Sequence, residues 1–214
     1  MTRILVLTKA PEPGRAKTRL CPPCTLEQAA VIARAALHDT LAAATAVRSA
    51  ATVLVLDGPP GSWIPTGVRV IPQRGEGLDE RIAAAFADAG TPALLIGMDT
   101  PQITACLLSD ALSLLAGPGV DAVLGEASDG GWWAAGVNDV DSQAFLGVPM
   151  GTRSTGRAQR SRFHALGMNV AELPPLRDVD TFQDALAVAE MVPRSRLARA
   201  VGTVMMQRVA GGGS

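Results

Sequence analysis

The residues best suited to chemistry lie close to the amino terminus, in Lys9-Ala10-Pro11-Glu12-Pro13-Gly14-Arg15-Ala16-Lys17-Thr18-Arg19-Leu20. Four cations, Lys9, Arg15, Lys17 and Arg19, stand in a segment that two prolines and a glycine keep out of regular structure. Fixed Lys and Arg side chains, with backbone N–H groups near Gly14, suit the oxygens of a di- or triphosphate. Most basic loops are merely solvated. This one follows the apolar run Ile4-Leu5-Val6-Leu7, which reads as a buried first strand. Ligands of open α/β sheets bind at the carboxyl ends of such strands, and that placement favours phosphate. The segment has neither the G-x-x-x-x-G-K-[ST] nor the G-x-G-x-x-G spacing.

Carboxylates supply the complementary chemistry. Asp99 follows the most apolar strand, Ala93-Leu94-Leu95-Ile96-Gly97, and precedes Thr100-Pro101. An acid there is a candidate metal ligand, or simply the cap of a turn. Asp178-Val179-Asp180 puts two acids on one face if extended, so that they could share a divalent cation. They could equally serve the dipole of the helix that follows. Asp129-Gly130-Gly131 makes a tight turn into Trp132-Trp133. Strand alternation would send the two indoles to opposite faces, either as core or with one stacked on a sugar or base. Gln73-Arg74-Gly75-Glu76-Gly77 is a turn whose glycines could let backbone approach a ligand, or an ordinary helix start. Arg153, Arg157, Arg160 and Arg162 read as a solvated helix face that could grip an anion if it folds over the cleft.

These groups need a scaffold, and the apolar periodicity supplies one. Thr25 with Gln28 forms a capping box ahead of a helix bearing Leu26, Ala30, Ala33, Leu37, Leu41 and Ala44 on one stripe. Strands follow at Thr52–Leu56 and Val68–Ile71. A helix turns Leu78, Ile82, Ala85 and Phe86 inward, and the strand at 93–97 is central. A helix near Thr104–Leu115, a strand at 121–125, the Trp132 strand, a helix within 151–164 and a strand at 169–173 come next. Thr181 caps a further helix, and Pro193 opens the last, with Leu197, Val201 and Met205 periodic. Strands alternating with helices imply a mostly parallel sheet covered on both faces.

The totals narrow the function. With 214 residues, 48% hydrophobic and 18% charged, the chain suits one domain over residues 1–209 with a flexible tail at 210–214. A net charge of −1 gives no sign of a nucleic-acid binder, so the basic loop is a local feature. Neither a membrane span nor a signal-peptide pattern is present, and a cytoplasmic protein is expected. Cys21-Pro22-Pro23-Cys24 lacks the further ligands a zinc site needs and reads as two incidental thiols. Oligomeric state is not legible.

Taken in order, Thr8–Leu20 with Pro22, Gln73–Phe86, Gly97–Pro101, Asp129–Gly136 and Asp178–Asp184 resemble a bacterial family. It is the radical-SAM/selenodomain-associated, arsenosugar-type transferase 1 family of the GT-A nucleotide-diphospho-sugar transferase superfamily. The K-x-P-x-P-G-x-x-K-T-R-L stretch carries most of the likeness. The same segments are similar to the guanylyltransferase that activates phospholactate or phosphoenolpyruvate in deazaflavin-cofactor synthesis. The resemblance implies a Rossmann-like GT-A fold. It implies that Lys17 and Arg19 hold phosphates and that Asp99, Asp178 and Asp180 hold Mg²⁺ or Mn²⁺; with the loop and turn residues read above, the expected nucleotide site is Lys9, Gly14, Arg15, Lys17, Arg19, Gly75 and Gly77. Asp129, Gly130, Gly131 and Trp132 fall on the acceptor side, and Lys17, Asp99 and Asp129 are the candidate catalytic residues. The expected reaction is glycosyl transfer from a nucleotide-diphosphate sugar to a small-molecule acceptor. The alternative is nucleotidyl transfer from a nucleoside triphosphate to a small phosphorylated acceptor with release of pyrophosphate. A nucleotide-binding protein without catalysis would not need three separated acids.

Overall fold

The structure, a computed structural model, describes residues 1–139 and 142–211. Seven strands form one sheet: β1 (Thr2–Lys9), β2 (Ala50–Asp57), β3 (Arg69–Pro72), β4 (Ala93–Gly97), β5 (Ala122–Ala127), β6 (Trp132–Val137) and β7 (Val170–Leu176). Their order is β3-β2-β1-β4-β6-β5-β7, so β4 is the central strand. Four neighbouring pairs are parallel, and β6 runs antiparallel to both β4 and β5. The expected mostly parallel α/β sheet is present.

Period-two alternation distributes the strand side chains between two cores. Ile4, Val6, Leu54, Leu94, Ile96 and Val123 point to one face, while Leu5, Val53, Val55, Leu95 and Leu124 point to the other. The first face is covered by α1 (Leu26–Ala46) and α3 (Ala105–Leu115), the second by α2 (Leu78–Ala89) and α4 (Thr155–Ala165). Phe86 of α2 stacks on Phe145 at 4.7 Å between centroids, and Phe163 of α4 meets Phe145 edge-on at 5.7 Å. Such ring pairs contribute about 1 kcal/mol each beyond the area they bury.

Helix α1 explains its own composition. Ala33, Leu37, Leu41 and Ala44 face the sheet, while Ala29, Ile32 and Ala36 face a third core made with α5 (Phe182–Met191) and α6 (Arg196–Gly211). A helix packed on two sides needs small residues on both, hence its alanines. The Thr25–Gln28 capping box forms, and Thr181 caps α5 in a second box with Asp184. Three periodic residues read as inward are exposed: Leu26 by 45%, Leu78 by 44% and Met205 by 41%. Each stands at the rim of its stripe, where periodicity alone cannot tell core from groove. Of the tail expected at 210–214, residues 210 and 211 close α6, and 212–214 lie outside the described residues.

Candidate functional site

β1 and β4 are adjacent and parallel, with Leu7 beside Gly97 in register. Their carboxyl ends therefore open on the same rim of the sheet. A cleft of about 620 Å³ lies there. It is lined by Lys9, Arg15, Lys17, Arg19, Asp99, Asp129, Gly131, Trp132, Asp178 and Asp180, along with Gln73 and Arg81.

The loop after β1 is held from both sides. Ala10 N–H donates to the Asp57 carbonyl at 2.8 Å as the chain leaves the sheet. The Asp57 carboxylate then accepts from Arg15 Nη2 at 3.1 Å and from Arg81 Nη1 at 3.2 Å. One acid at the end of β2 thus fixes two guanidinium groups on the cleft wall. Gln73 donates its amide to the carbonyls of Thr8 at 2.8 Å and Val55 at 3.1 Å, so both of its N–H groups are used. On the opposite side of the loop, Arg19 donates to Asp180 Oδ2 at 3.0 Å.

Lys17 is bound most tightly. It has left-handed backbone, φ 54°, which is uncommon without glycine, and its side chain is only 7% exposed. Its ammonium lies 2.5 Å from Asp99 Oδ1 and 3.6 Å from Asp180 Oδ1, and donates to the Val179 carbonyl. Val179 N–H in turn donates to the Asp99 carbonyl at 2.7 Å, stitching the Asp178–Asp180 segment to the end of β4.

The acids converge from three parts of the chain. Asp129, Asp178 and Asp180 each place a carboxylate oxygen within 4.8 Å of the others. Asp99 stands beside this trio, paired with Lys17. Burial, followed by the neighbouring charges of Asp129, Asp180 and Asp99, pushes the Asp178 carboxyl up to about 6. Asp178 Oδ1 and Trp132 Nε1 are buried without a hydrogen-bond partner among the described residues.

The Asp129 turn is shaped by packing. Asp129 Oδ1 accepts from Gly131 N–H at 2.6 Å, leaving its other oxygen for the cleft. Gly130 has φ +92°, and a Cβ there would lie 2.1 Å from the Arg153 carbonyl oxygen. Gly156 N–H donates to the Gly130 carbonyl at 2.9 Å, and a Cβ on Gly156 would meet the Gly131 oxygen at 2.6 Å. Glycine at these positions lets the start of α4 sit directly on the turn. The tryptophans separate as alternation requires. Trp133 enters the first core and donates Nε1 to the Pro174 carbonyl at 2.9 Å, whereas Trp132 packs on the second and borders the cleft.

Not every residue singled out in the sequence reaches the cleft. Gly14, Gly75, Gly77 and Gly130 lie outside its lining. Gly75, at φ +118°, has room only for hydrogen beside Glu80, and a Cβ on Gly77 would meet Asp79 at 2.4 Å, so both shape the start of α2. Of the α4 arginines, Arg160 is clamped to Glu172 and Glu126, and Arg162 donates to the Gln143 carbonyl. The segment from Gly151, expected to reach the cleft if it folds over, does so through Gly151, Thr152 and Thr155, without its arginines. Asp57 and Arg81 were not singled out for the site. Asp57 carries the same signal as Asp99, an acid ending a buried strand.

The mostly parallel seven-stranded sheet with helices on both faces matches the Rossmann-like fold of nucleotidyl- and glycosyltransferases. The chain belongs to the bacterial family described as uncharacterized protein conserved in bacteria (DUF2064), which matches residues 26–152. It is similar to a Desulfovibrio desulfuricans G20 protein provisionally described as a nucleotide-diphospho-sugar transferase. The two share 25% identity over 98% of this chain and 95% of the other, with a TM-score of 0.84. CMP:2-keto-3-deoxy-manno-octonic acid synthetase complexed with CTP shares the fold at 13% identity, over 90% of this chain and 98% of its own, with a TM-score of 0.60. So does Mycobacterium tuberculosis glucosyl-3-phosphoglycerate synthase in complex with Mn²⁺, UDP and phosphoglyceric acid. Its identity is 11%, covering 94% of this chain and 78% of the synthase, with a TM-score of 0.55. No curated protein matches the sequence. Among the described residues no helix is long and apolar enough to cross a membrane.

Proposed function

We propose that the protein is a metal-assisted transferase acting on a nucleotide-activated donor, and that the reaction is glycosyl transfer from a nucleotide-diphosphate sugar. One observation carries this reading. A trio of carboxylates, Asp129, Asp178 and Asp180, shares one cleft with Lys9, Arg15, Lys17, Arg19 and Arg81. Acids gathered against their own repulsion suit a hard cation, and cations fixed beside them suit phosphate. The orphaned Asp178 Oδ1 fits a divalent ion, since it has no protein donor to satisfy it. Asp178 and Asp180, with Asp99 beside them, would hold Mg²⁺ or Mn²⁺. Bound there, the ion would neutralise charge on the donor's diphosphate.

The remaining roles belong to the chain. Arg15 and Arg81, locked by Asp57, hold the donor phosphates, with Arg19 and Lys9 at the rim. Lys17 ties the loop to Asp99 and adds a charge that opposes the one developing on the leaving diphosphate. Asp129, with one oxygen fixed by Gly131 N–H, presents the other to the acceptor hydroxyl. That hydroxyl oxygen bonds to the anomeric carbon as the bond from this carbon to the diphosphate breaks. The bonding pair leaves with the diphosphate, and the hydroxyl proton passes to Asp129. The finer family likeness, to the arsenosugar-type transferase 1 proteins, agrees with this chemistry.

Nucleotidyl transfer is the second reading, and the density of cations favours it, because a triphosphate carries more charge than a sugar diphosphate. A thermal-shift panel of nucleoside triphosphates and nucleotide-diphosphate sugars, with and without Mn²⁺, tests the donor class. A ligand that binds only the native state raises the midpoint. The proposal expects a nucleotide-diphosphate sugar to do so in a metal-dependent way. A panel in which only triphosphates stabilise the protein would shift the reading to nucleotidyl transfer.

A further inference from the structure

Charge is divided unevenly across the cleft. All five cations that line it, Lys9, Arg15, Lys17, Arg19 and Arg81, come from the end of β1, the loop after it and α2. The opposite half is built from the Asp129–Trp132 turn and the Met150–Thr155 loop, which Gly130 and Gly156 lock together. It contributes no cation to the lining. The arginines nearest in the chain do not supply one. Arg160 is bidentate to Glu172, at 2.7 and 3.0 Å, and pairs with Glu126 at 2.9 Å. Arg162 donates to the Gln143 carbonyl, and neither Arg153 nor Arg157 is among the residues that line the cleft.

What this half offers instead is apolar surface beside one carboxylate. Trp132 and Met150 pack on the same core as Ile82 and Leu95, so all four border the cleft from one side of the sheet. Leu78, at the start of α2 on the cationic side, is 44% exposed and adds an apolar side chain to the facing wall. The polar groups are largely used up: Thr155 Oγ1 accepts from Thr152 N–H and donates to the Pro149 carbonyl. Asp129 keeps one carboxylate oxygen able to accept from a hydroxyl.

We propose, building on the transferase reading above, that this half is the acceptor subsite and that it takes an uncharged alcohol with an apolar body. A phosphorylated or carboxylated acceptor would face Asp129, Asp178 and Asp180 with no side-chain cation to meet it, and like charges at close range repel. A neutral hydroxyl can donate to Asp129 while its carbon body covers Trp132 and Met150. The subsite thereby favours glycosyl transfer to an alcohol over nucleotidyl transfer to a phosphate.

Methyl and indole NMR spectra read this half of the cleft without a catalytic assay. Methionine methyls are labelled with ¹³C, and Met150 is assigned by Met150→Leu and the Trp132 indole by Trp132→Phe. Hexyl glucoside and phosphoglycerate are then titrated separately in the presence of Mg²⁺. The expected result is that hexyl glucoside moves both signals and saturates in the millimolar range, while phosphoglycerate leaves both in place. Thr152→Arg, which supplies the missing cation, should make phosphoglycerate shift the Trp132 indole. Two results would overturn the proposal: phosphoglycerate moving the wild-type signals at or below the concentration that the neutral probe requires, or neither probe moving them. The Met98 methyl, which lines the cleft beside Asp99, reports donor binding separately. Nucleotide-diphosphate sugars that leave Met98 unmoved would count against the transferase reading itself, whatever happens at Met150.

Discussion

Replacing Asp178 with asparagine should stabilise the protein at neutral pH. Its carboxyl is lifted from an ordinary 3.8 to about 6, chiefly by burial and then by the charge of Asp129. A raised carboxyl pKa means that the folded protein holds this proton more tightly than the unfolded chain does. Ionisation therefore costs stability, and the cost builds as the pH rises from the unfolded value through the folded one. About 1.4 kcal/mol per unit would give roughly 3 kcal/mol for a fully sheltered group. Asp178 is only half-buried, and solvent screening reduces the effect to about 1 kcal/mol. For a chain of this size that is about 2–4 °C in melting temperature. Thermal melts of wild type and Asp178→Asn, followed by circular dichroism in buffers without divalent ions, provide the assay. The variant should melt higher above pH 6, and the two curves should converge below about pH 3, where the acid is protonated in both states. Adding Mg²⁺ should raise the wild type more than the variant, because the ion relieves the same repulsion. A variant that melts at or below the wild type at neutral pH would refute the argument that these acids are held together against their charge.

Other perturbations follow from the same geometry. Lys17→Met removes the ammonium paired with Asp99 and Asp180, leaving Asp99 without its counter-charge and Asp180 with Arg19 alone; urea unfolding at neutral pH should show a loss of about 2–3 kcal/mol, smaller at acidic pH. Gly130→Ala places a methyl 2.1 Å from the Arg153 oxygen at a positive φ and should cost about 3 kcal/mol or more in the same assay. Gly119→Ala, with φ +74° and nothing within 4 Å, should cost only the backbone strain of about 1 kcal/mol.

The sequence made the scaffold legible where local rules decide it. Both threonine caps, the apolar strands and the opposite facing of Trp132 and Trp133 follow from spacing alone. The grouping of Lys17, Asp99 and Asp180 on one cleft was likewise accessible, because acids and cations at the carboxyl ends of parallel strands must meet. Strand direction was not: Trp132–Val137 reads as a strand either way, and its antiparallel course depends on the short turn at Asp129–Gly131. The entry of Asp129 into the acid trio depends on that reversal too. Nor could spacing show that Gly130 and Gly156 are reserved for a close backbone approach. The pairing of Arg15 and Arg81 through Asp57 joins three segments that only the sheet order brings together. Leu78 escaped because helical periodicity marks a stripe as apolar without saying whether core or cleft lies against it.

The central claim is that the cleft transfers a sugar, with a nucleoside diphosphate as the leaving group. Its most direct test is phosphorus NMR of the products formed in Mg²⁺ from a stabilising nucleotide-diphosphate sugar and, separately, from nucleoside triphosphates, each with hexyl glucoside as acceptor. The account predicts that nucleoside diphosphate accumulates with the sugar donor, that no pyrophosphate forms from any triphosphate, and that Asp180→Asn abolishes turnover. Pyrophosphate released from a triphosphate by the wild-type protein would contradict it.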